Sequence, residues 1–266
     1  MSLDLPSLCA MPDNVVVTAH RGFSGLYPEN TLEAFTAAIE LGVDILEFDI
    51  RGSRDGVPIV LHDRTLDRTA NQPGTPDEYD LVEIKTFEAS YWSGAHNDGV
   101  KLDHPSVPGA RVPTFEEVLD TVGGGVGLNI QIYDTSPPIL EAVCRLYRDY
   151  DLYAHGYLTL STLAEAALVR AIDPGIELCA TERQGTMDVE ALRRQAAFGC
   201  RYVQPLRRDV TPALCKAARE MGLCANMFYA NTDEDNRTYI AMGIQGILTD
   251  RPDILIATLR DLGRRA

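Results

Sequence analysis

Two histidines and two carboxylates are spaced for chemistry in the first quarter of the chain. His20 and His62 each close a short apolar run, and Glu47 and Asp49 stand two residues apart between them. An imidazole titrates near working pH, so a pair of them can serve as general base and general acid in one displacement. Glu47 and Asp49 offer hard oxygens suited to one divalent cation, Mg²⁺ or Ca²⁺, whereas no thiolate cluster or HxxxH spacing points to zinc. The competing reading of the two acids is a buried salt bridge to Arg21 or Arg51. Arg21 is also a natural bidentate ligand for phosphate, and a metal beside an arginine is the usual clamp for charge on a phosphoryl group. The residues alone therefore suggest a metal-assisted hydrolase of a phosphate ester. No serine nucleophile elbow, Walker A loop or GxGxxG competes.

The elements that must hold these groups follow from periodicity. The β-branched run 15–18 predicts a buried strand delivering His20 at its C-terminal end. Asn30 or Thr31 caps a helix whose apolar stripe is Leu32, Phe35, Ala38, Ile39 and Leu41, and Gly42 stops it. In 44–51, Glu47, Asp49 and Arg51 share one face by the period of two, an expensive placement unless the charges are paired or bind a cation. A further strand over 57–61 ends at His62. Residues 64–112 are polar and turn-rich and read as an inserted subdomain.

Beyond 112, predicted helices at 114–122, 137–150, 162–172, 187–198, 211–221, 232–242 and from 252 alternate with strands at 127–133, 156–160, 177–181, 202–205, 223–228 and 246–249. Counting the strands on either side of 53–56 as one strand and its extension gives about eight. That tally in 266 residues predicts one α/β domain, a (β/α)8 TIM barrel with a small insertion after the second barrel strand and its chemistry at the strand C-termini. The runner-up is an open doubly wound sheet, against which stands the lack of a dinucleotide-type glycine fingerprint after the first strand.

Composition narrows the partners. A net charge of −15 lacks the basic stripe that a nucleic acid needs, while leaving room for a small anionic substrate in a locally basic cleft. No run approaches the roughly 18 apolar residues of a membrane span. The first fourteen residues do not resemble a signal peptide, so a cytoplasmic location is expected, unless residues 1–3 replace a removed leader. The six cysteines form no CxxC pair or framework and read as reduced core residues.

His20-Arg21-Gly22, Pro28-Glu29-Asn30-Thr31, Glu47-x-Asp49 and His62-Asp63, in this order, resemble the glycerophosphodiester phosphodiesterases. The likeness continues through 65–69, 112–119 and Thr249-Asp250-Arg251-Pro252, nearly the whole chain. It implies a (β/α)8 barrel with 64–112 as the insertion, and hydrolysis of glycerophosphodiesters to glycerol 3-phosphate and an alcohol with Ca²⁺ or Mg²⁺. It further implies His20 and His62 as the acid/base pair, Glu47 and Asp49 as metal ligands and Arg21 as a phosphate ligand. Attack by water, or by the substrate's own hydroxyl to give a cyclic phosphate, both fit the resemblance.

The chain departs from that family where it usually carries Glu-x-Lys on the third strand. Here Gln131 and Tyr133 stand, so an amide replaces a carboxylate ligand and a phenol replaces a cation. One negative and one positive charge go together, which suggests a retuned site with weaker metal affinity and a changed substrate preference. Gln131 remains a metal ligand by its oxygen, and Tyr133 a hydrogen-bond partner for phosphate. Arg183, Arg207 and Arg208 are candidates for restoring the lost charge, Asp134 for the lost ligand if the strand ends before it, and Phe228 for an aromatic wall against the substrate. Tyr91, Trp92 and His96 could wall the alcohol half, with packing inside the insertion as their other role. The alternative function is a non-catalytic phosphodiester-binding protein whose metal site has degraded at Gln131.

Overall fold

The structure, a computed structural model, describes residues 5–11, 14–95, 98–182 and 185–265. Eight parallel strands form its centre: β1 (Val16–His20), β2 (Ile45–Gly52), β6 (Gly127–Ile132), β7 (Gly156–Leu160), β8 (Leu178–Ala180), β9 (Tyr202–Val203), β10 (Cys224–Phe228) and β11 (Gly246–Thr249). Hydrogen bonding runs in the order β8-β7-β6-β2-β1-β11-β10-β9, and β8 and β9 meet to make a near-closed barrel. Across the interior beside that seam, the rings of Tyr157 and Tyr202 stack 4.0 Å apart. β3 (Pro58–Val60) turns back antiparallel on β2, the extension expected from the sequence.

The helices that return the chain between strands are α2 (Leu32–Leu41), α4 (Phe115–Val122), α5 (Pro137–Asp149), α6 (Leu163–Ile172), α7 (Val189–Phe198), α8 (Pro212–Glu220), α9 (Asp233–Ala241) and α10 (Pro252–Asp261). Their starts are chemically marked. Thr31, Thr114, Thr162, Thr211 and Thr232 each accept a backbone N–H with the side-chain hydroxyl. Gly42 ends α2 in the left-handed region, φ 86°, as expected of a glycine at that position.

Strand parity sorts the residues of β2 between two environments. Leu46, Phe48 and Ile50 point outward into the core beneath the helices, where Phe48 lies between Phe35 and Phe115 at 5.6 and 5.9 Å. The inward residues pass from apolar to charged along the barrel. At the base, Leu5 and Cys9 of a short helix α1 (Leu5–Ala10) meet Val16, Ile45, Tyr157, Cys179 and Tyr202. Gly127 makes room for this plug, since a Cβ there would come within 2.5 Å of Leu5. In the middle, buried amides and hydroxyls bond to one another: Asn226 Nδ2 donates to Thr18 Oγ1 (2.9 Å), Thr159 Oγ1 to Asn129 Oδ1 (2.6 Å), and Asn129 Nδ2 to Gln204 Oε1 (3.3 Å). The charged layer lies at the mouth.

Residues 64–112 depart from the barrel between β3 and α4. They hold a 3-10 turn (Pro76–Glu78), a single helical turn α3 (Leu81–Ile84) and a two-stranded ribbon of β4 (Trp92–Ser93) and β5 (Val100–Lys101). Leu66, Ala70, Ile84, Ala89 and Val112 make a small core of their own with Ile59 and Leu61. None of the described helices is long and apolar enough to cross a membrane.

The cysteine reading needs correction. Cys144, Cys179, Cys200 and Cys215 are buried and free, but Cys9 is joined to Cys224 by a disulfide, 215 residues away in sequence. The pairing arises because α1 closes the barrel base against β10, a contact that cysteine spacing does not report. Thiol titration of the denatured protein checks it: four reactive thiols are expected without reductant and six after reduction, and six in both cases would exclude the bond.

Candidate active site

β1 and β2 run side by side with His20 opposite Glu47, and β2 pairs with β6 so that Asp49 lies opposite Gln131. This register gathers the sequence-predicted residues at the C-terminal mouth. Two adjoining hollows of about 340 and 210 Å³ share His20, Arg21, His62 and Phe228. The deeper one is also lined by Glu47, Asp49, Gln131, Tyr133 and Gln204, the outer one by Ala95 and Asp98 of the insertion.

Both imidazoles are oriented by a carboxylate. His20 Nδ1 lies 2.7 Å from Asp250 Oδ1, and His62 Nδ1 lies 2.8 Å from Asp63 Oδ1. Burial works to raise both acids, yet His20, Asn231 and Ser24 hold Asp250 well below the usual carboxylate range, and His62 and Arg68 do the same for Asp63. An ionised carboxylate only accepts, so each Nδ1 donates in its contact, and Nε2 of His20 lies 3.9 Å from Glu47 Oε2. Asp250 is itself fixed by Ser24 Oγ (2.9 Å) and Asn231 Nδ2 (2.7 Å). The Phe228 ring meets the His20 ring edge-on at 5.0 Å, and Tyr133 meets His62 likewise at 5.3 Å.

Arg21 organises the acids. It adopts a left-handed φ of 57°, an uncommon conformation for a non-glycine residue that costs on the order of 1 kcal/mol. Its N–H thereby donates to Glu47 Oε2 (3.0 Å) and its carbonyl accepts from Asn30 N (3.1 Å). Its guanidinium donates to Glu29 Oε1 (2.9 Å) and lies 3.3 Å from Asp49 Oδ2, so the salt-bridge reading of the acids holds in part. Burial opposes the charge of Arg21, but Glu29, Asp49 and Glu47 outweigh it and raise the pKa. Arg68 continues the chain, donating to Glu29 at 2.7 Å and to Asp63 at 2.7 Å. An ion chain Arg21–Glu29–Arg68–Asp63–His62 therefore ties Arg21 to the second histidine.

One arginine does not balance the acids of β2. Glu47 and Asp49 are each 1% exposed. Burial and the charge of Asp49 push the Glu47 carboxyl well above its ordinary value, against Arg21. Asp49 Oδ1 is buried with no hydrogen-bond partner among the described residues. A buried carboxylate oxygen without a donor beside a second acid is the surrounding that a hard cation satisfies. Gln131 gives its Nε2 to Tyr133 Oη, so its Oε1 is not used in that bond. Among the described residues no group of three or more His, Cys, Asp or Glu side chains is placed to hold a metal; the carboxylates of Glu47 and Asp49 and the amide of Gln131 line one hollow.

Several expectations fell elsewhere. Arg207 pairs with Asp235 and Arg208 is largely exposed beside Asp209, away from the mouth, and Arg183 lies outside the described residues. Asp134 follows the end of β6 and accepts from Ser136 N instead of joining Gln131. The guanidinium of Trp92's neighbour Arg68 stacks on the indole at 5.0 Å, and Tyr91 faces Lys101, which favours packing for both aromatics; His96 lies outside the described residues. The orienting parts played by Asp250, Asp63, Glu29 and Arg68 were not foreseen, although all four stand within the quoted motifs.

A barrel of this kind, with paired acids and carboxylate-oriented histidines at its mouth, is built for hydrolytic chemistry. The sequence profile of the glycerophosphoryl diester phosphodiesterase family matches residues 20–254, and the chain belongs to that family. It is 28% identical over 91% of its length to a glycerophosphodiester phosphodiesterase of Bacillus subtilis, covering 86% of that protein. It is 30% identical to one of Caldanaerobacter subterraneus, covering 93% of this chain and 99% of that one. A crystal structure of a putative glycerophosphoryl diester phosphodiesterase from Silicibacter pomeroyi superposes with a TM-score of 0.84 at 26% identity, covering 98% of both chains. An Oleispira antarctica phosphodiesterase, solved with the product sn-glycerol-3-phosphate, shares the fold at a TM-score of 0.76 and 21% identity, covering 92% of this chain and 96% of that one. The protein is a phosphoric diester hydrolase of the glycerophosphodiester class.

The ion chain sets an acid limit to stability. Burial would raise Glu29, but Arg21 and Arg68 bring it from 4.5 down to about 2. A depressed carboxylate stabilises the fold fully above its unfolded value, and that contribution is lost as pH falls from about 4.5 to 2. A shift of this size amounts to about 3 kcal/mol. Urea denaturation between pH 6 and 3 should show Glu29→Gln less stable than the parent at pH 6, with the difference shrinking in acid; parallel profiles would refute the assignment.

Proposed function

We propose that the protein hydrolyses glycerophosphodiesters to glycerol 3-phosphate and an alcohol, with His20 and His62 exchanging the protons and Mg²⁺ or Ca²⁺ held by Glu47, Asp49 and Gln131. The observation that carries this reading is the pair of Nδ1–carboxylate contacts, which direct two imidazoles to one hollow containing Arg21 and the uncompensated acids. The product-bound Oleispira relative supports glycerol phosphate as the moiety received there.

Each residue has a distinct task. Arg21, buried and fixed by Glu29, binds the non-bridging phosphoryl oxygens and stabilises the charge they gain. The Tyr133 hydroxyl accepts from Gln131, so its own proton is left to donate to a phosphoryl oxygen. Burial and the charges of Asp49 and Glu47 raise the pKa of that phenol, which keeps it a donor at working pH. One Nε2 withdraws the proton of the attacking oxygen, and the other returns one to the departing alkoxide. Phe228 lies against His20 and walls the substrate. A bound divalent cation supplies charge neutralisation and polarises the phosphoryl group. The amide and phenol at 131 and 133 support a weaker cation site and a shifted substrate preference.

Glycerophosphocholine and glycerophosphoethanolamine with added Mg²⁺ or Ca²⁺ are the substrates for the test. His20→Ala and His62→Ala should each lower kcat by about 10² to 10⁴-fold. Binding without turnover in the parent protein would favour the non-catalytic alternative, and reaction in isotopically labelled water separates direct attack from a cyclic intermediate. Gln131→Glu adds a carboxylate and should tighten cation binding about tenfold by calorimetry; an unchanged affinity would remove residue 131 from the ligand set.

A further inference from the structure

Behind Tyr133 lies a second cavity of about 350 Å³, between the end of β6, the end of β2 and the insertion. Tyr133 lines both this cavity and the catalytic hollow. Arg51 and Arg64 line it as well. Most arginines of this acidic chain face a carboxylate, but among the described residues neither of these two makes an ion pair.

Arg51 is half-buried. Its Nε and one Nη donate to the carbonyl of His62 (2.9 and 2.7 Å), and its guanidinium lies over the Tyr133 ring at 4.8 Å. The other Nη has no acceptor among the described residues. The two acids on the cavity wall are already engaged: Asp77 accepts from the Thr75 hydroxyl and Asp134 from Ser136 N (2.9 Å).

We propose that this cavity is a subsite for an anionic group on the alcohol half of the substrate, with Arg51 and Arg64 as its ligands. The inference rests on the catalytic reading of the adjoining hollow. A carboxylate placed there gains charge-assisted hydrogen bonds from two guanidiniums. Asp77 and Asp134 leave the wall neutral overall and compatible with an ammonium beside that carboxylate.

Glycerophosphoserine and glycerophosphoethanolamine differ by one carboxylate and make a matched pair of probes. The parent protein should prefer the serine diester by about tenfold in kcat/KM, through KM. Arg64→Gln should bring that ratio close to one, and Arg51→Gln should do the same with an added loss of kcat from the His62 support. Equal kcat/KM for the two diesters, or a preference that survives Arg64→Gln, would overturn the subsite. Turnover of neither diester would instead refute the catalytic reading. Calorimetric titration of the same two compounds onto parent and Arg64→Gln protein then decides the subsite by affinity alone.

Discussion

Two carboxylates two residues apart on one inward strand face, almost without water, impose their charge on everything around them. Glu47 and Asp49 cannot be screened by solvent at 1% exposure, and the single buried arginine between them leaves one oxygen of Asp49 without a donor. The left-handed turn at Arg21, the amide of Asn30 on Asp49 (2.8 Å) and the exchange of charge along Glu29 and Arg68 all answer that concentration of negative charge. A polar middle layer of the barrel, linked by side-chain hydrogen bonds, keeps this charged mouth apart from the apolar base that α1 closes.

The same constraint links Arg21 to His62. Arg21 and His62 sit on different elements, yet Glu29 and Arg68 join them through contacts of 2.9 Å or less, and the insertion contributes Arg68 to that chain. His62 is held from two further sides, by Asp63 on its ring and by Arg51 on its carbonyl. Gln131 and Tyr133 on the third barrel strand add no net charge to this balance. Arg51, stacked on Tyr133, returns a cation to the neighbourhood from an unexpected strand.

Much of the site was legible because it is local. His20-Arg21 and His62-Asp63 stand at or just past a strand end and Glu47-x-Asp49 inside a strand, where a period of two and the position of the next turn settle which way a side chain faces. Barrel strands and helices were legible for a similar reason: threonine caps and glycine stops mark their limits, and apolar stripes mark their inner faces. The orienting group of His20 was not, since Asp250 is 230 residues away and reaches it through the adjacency of β1 and β11. The disulfide escaped on the same ground. The strand does end at Ile132, before Asp134, yet that carboxylate accepts from Ser136 N beside α5 and does not line the hollow of Gln131.

By itself, the sequence determined the alternation of strands and helices, the catalytic-type residues and the family to which they belong, because those depend on near-neighbour periodicity and short motifs. Only the tertiary structure decided how the charges are shared. Closing the sheet into a barrel brings β1, β2, β6 and β11 together at one mouth, and electrostatic pairing among buried groups depends on that through-space proximity, which sequence separation does not encode. So the chain displays two histidines and two acids in order, while the barrel assigns each histidine its carboxylate and sets Arg51 on the carbonyl of His62.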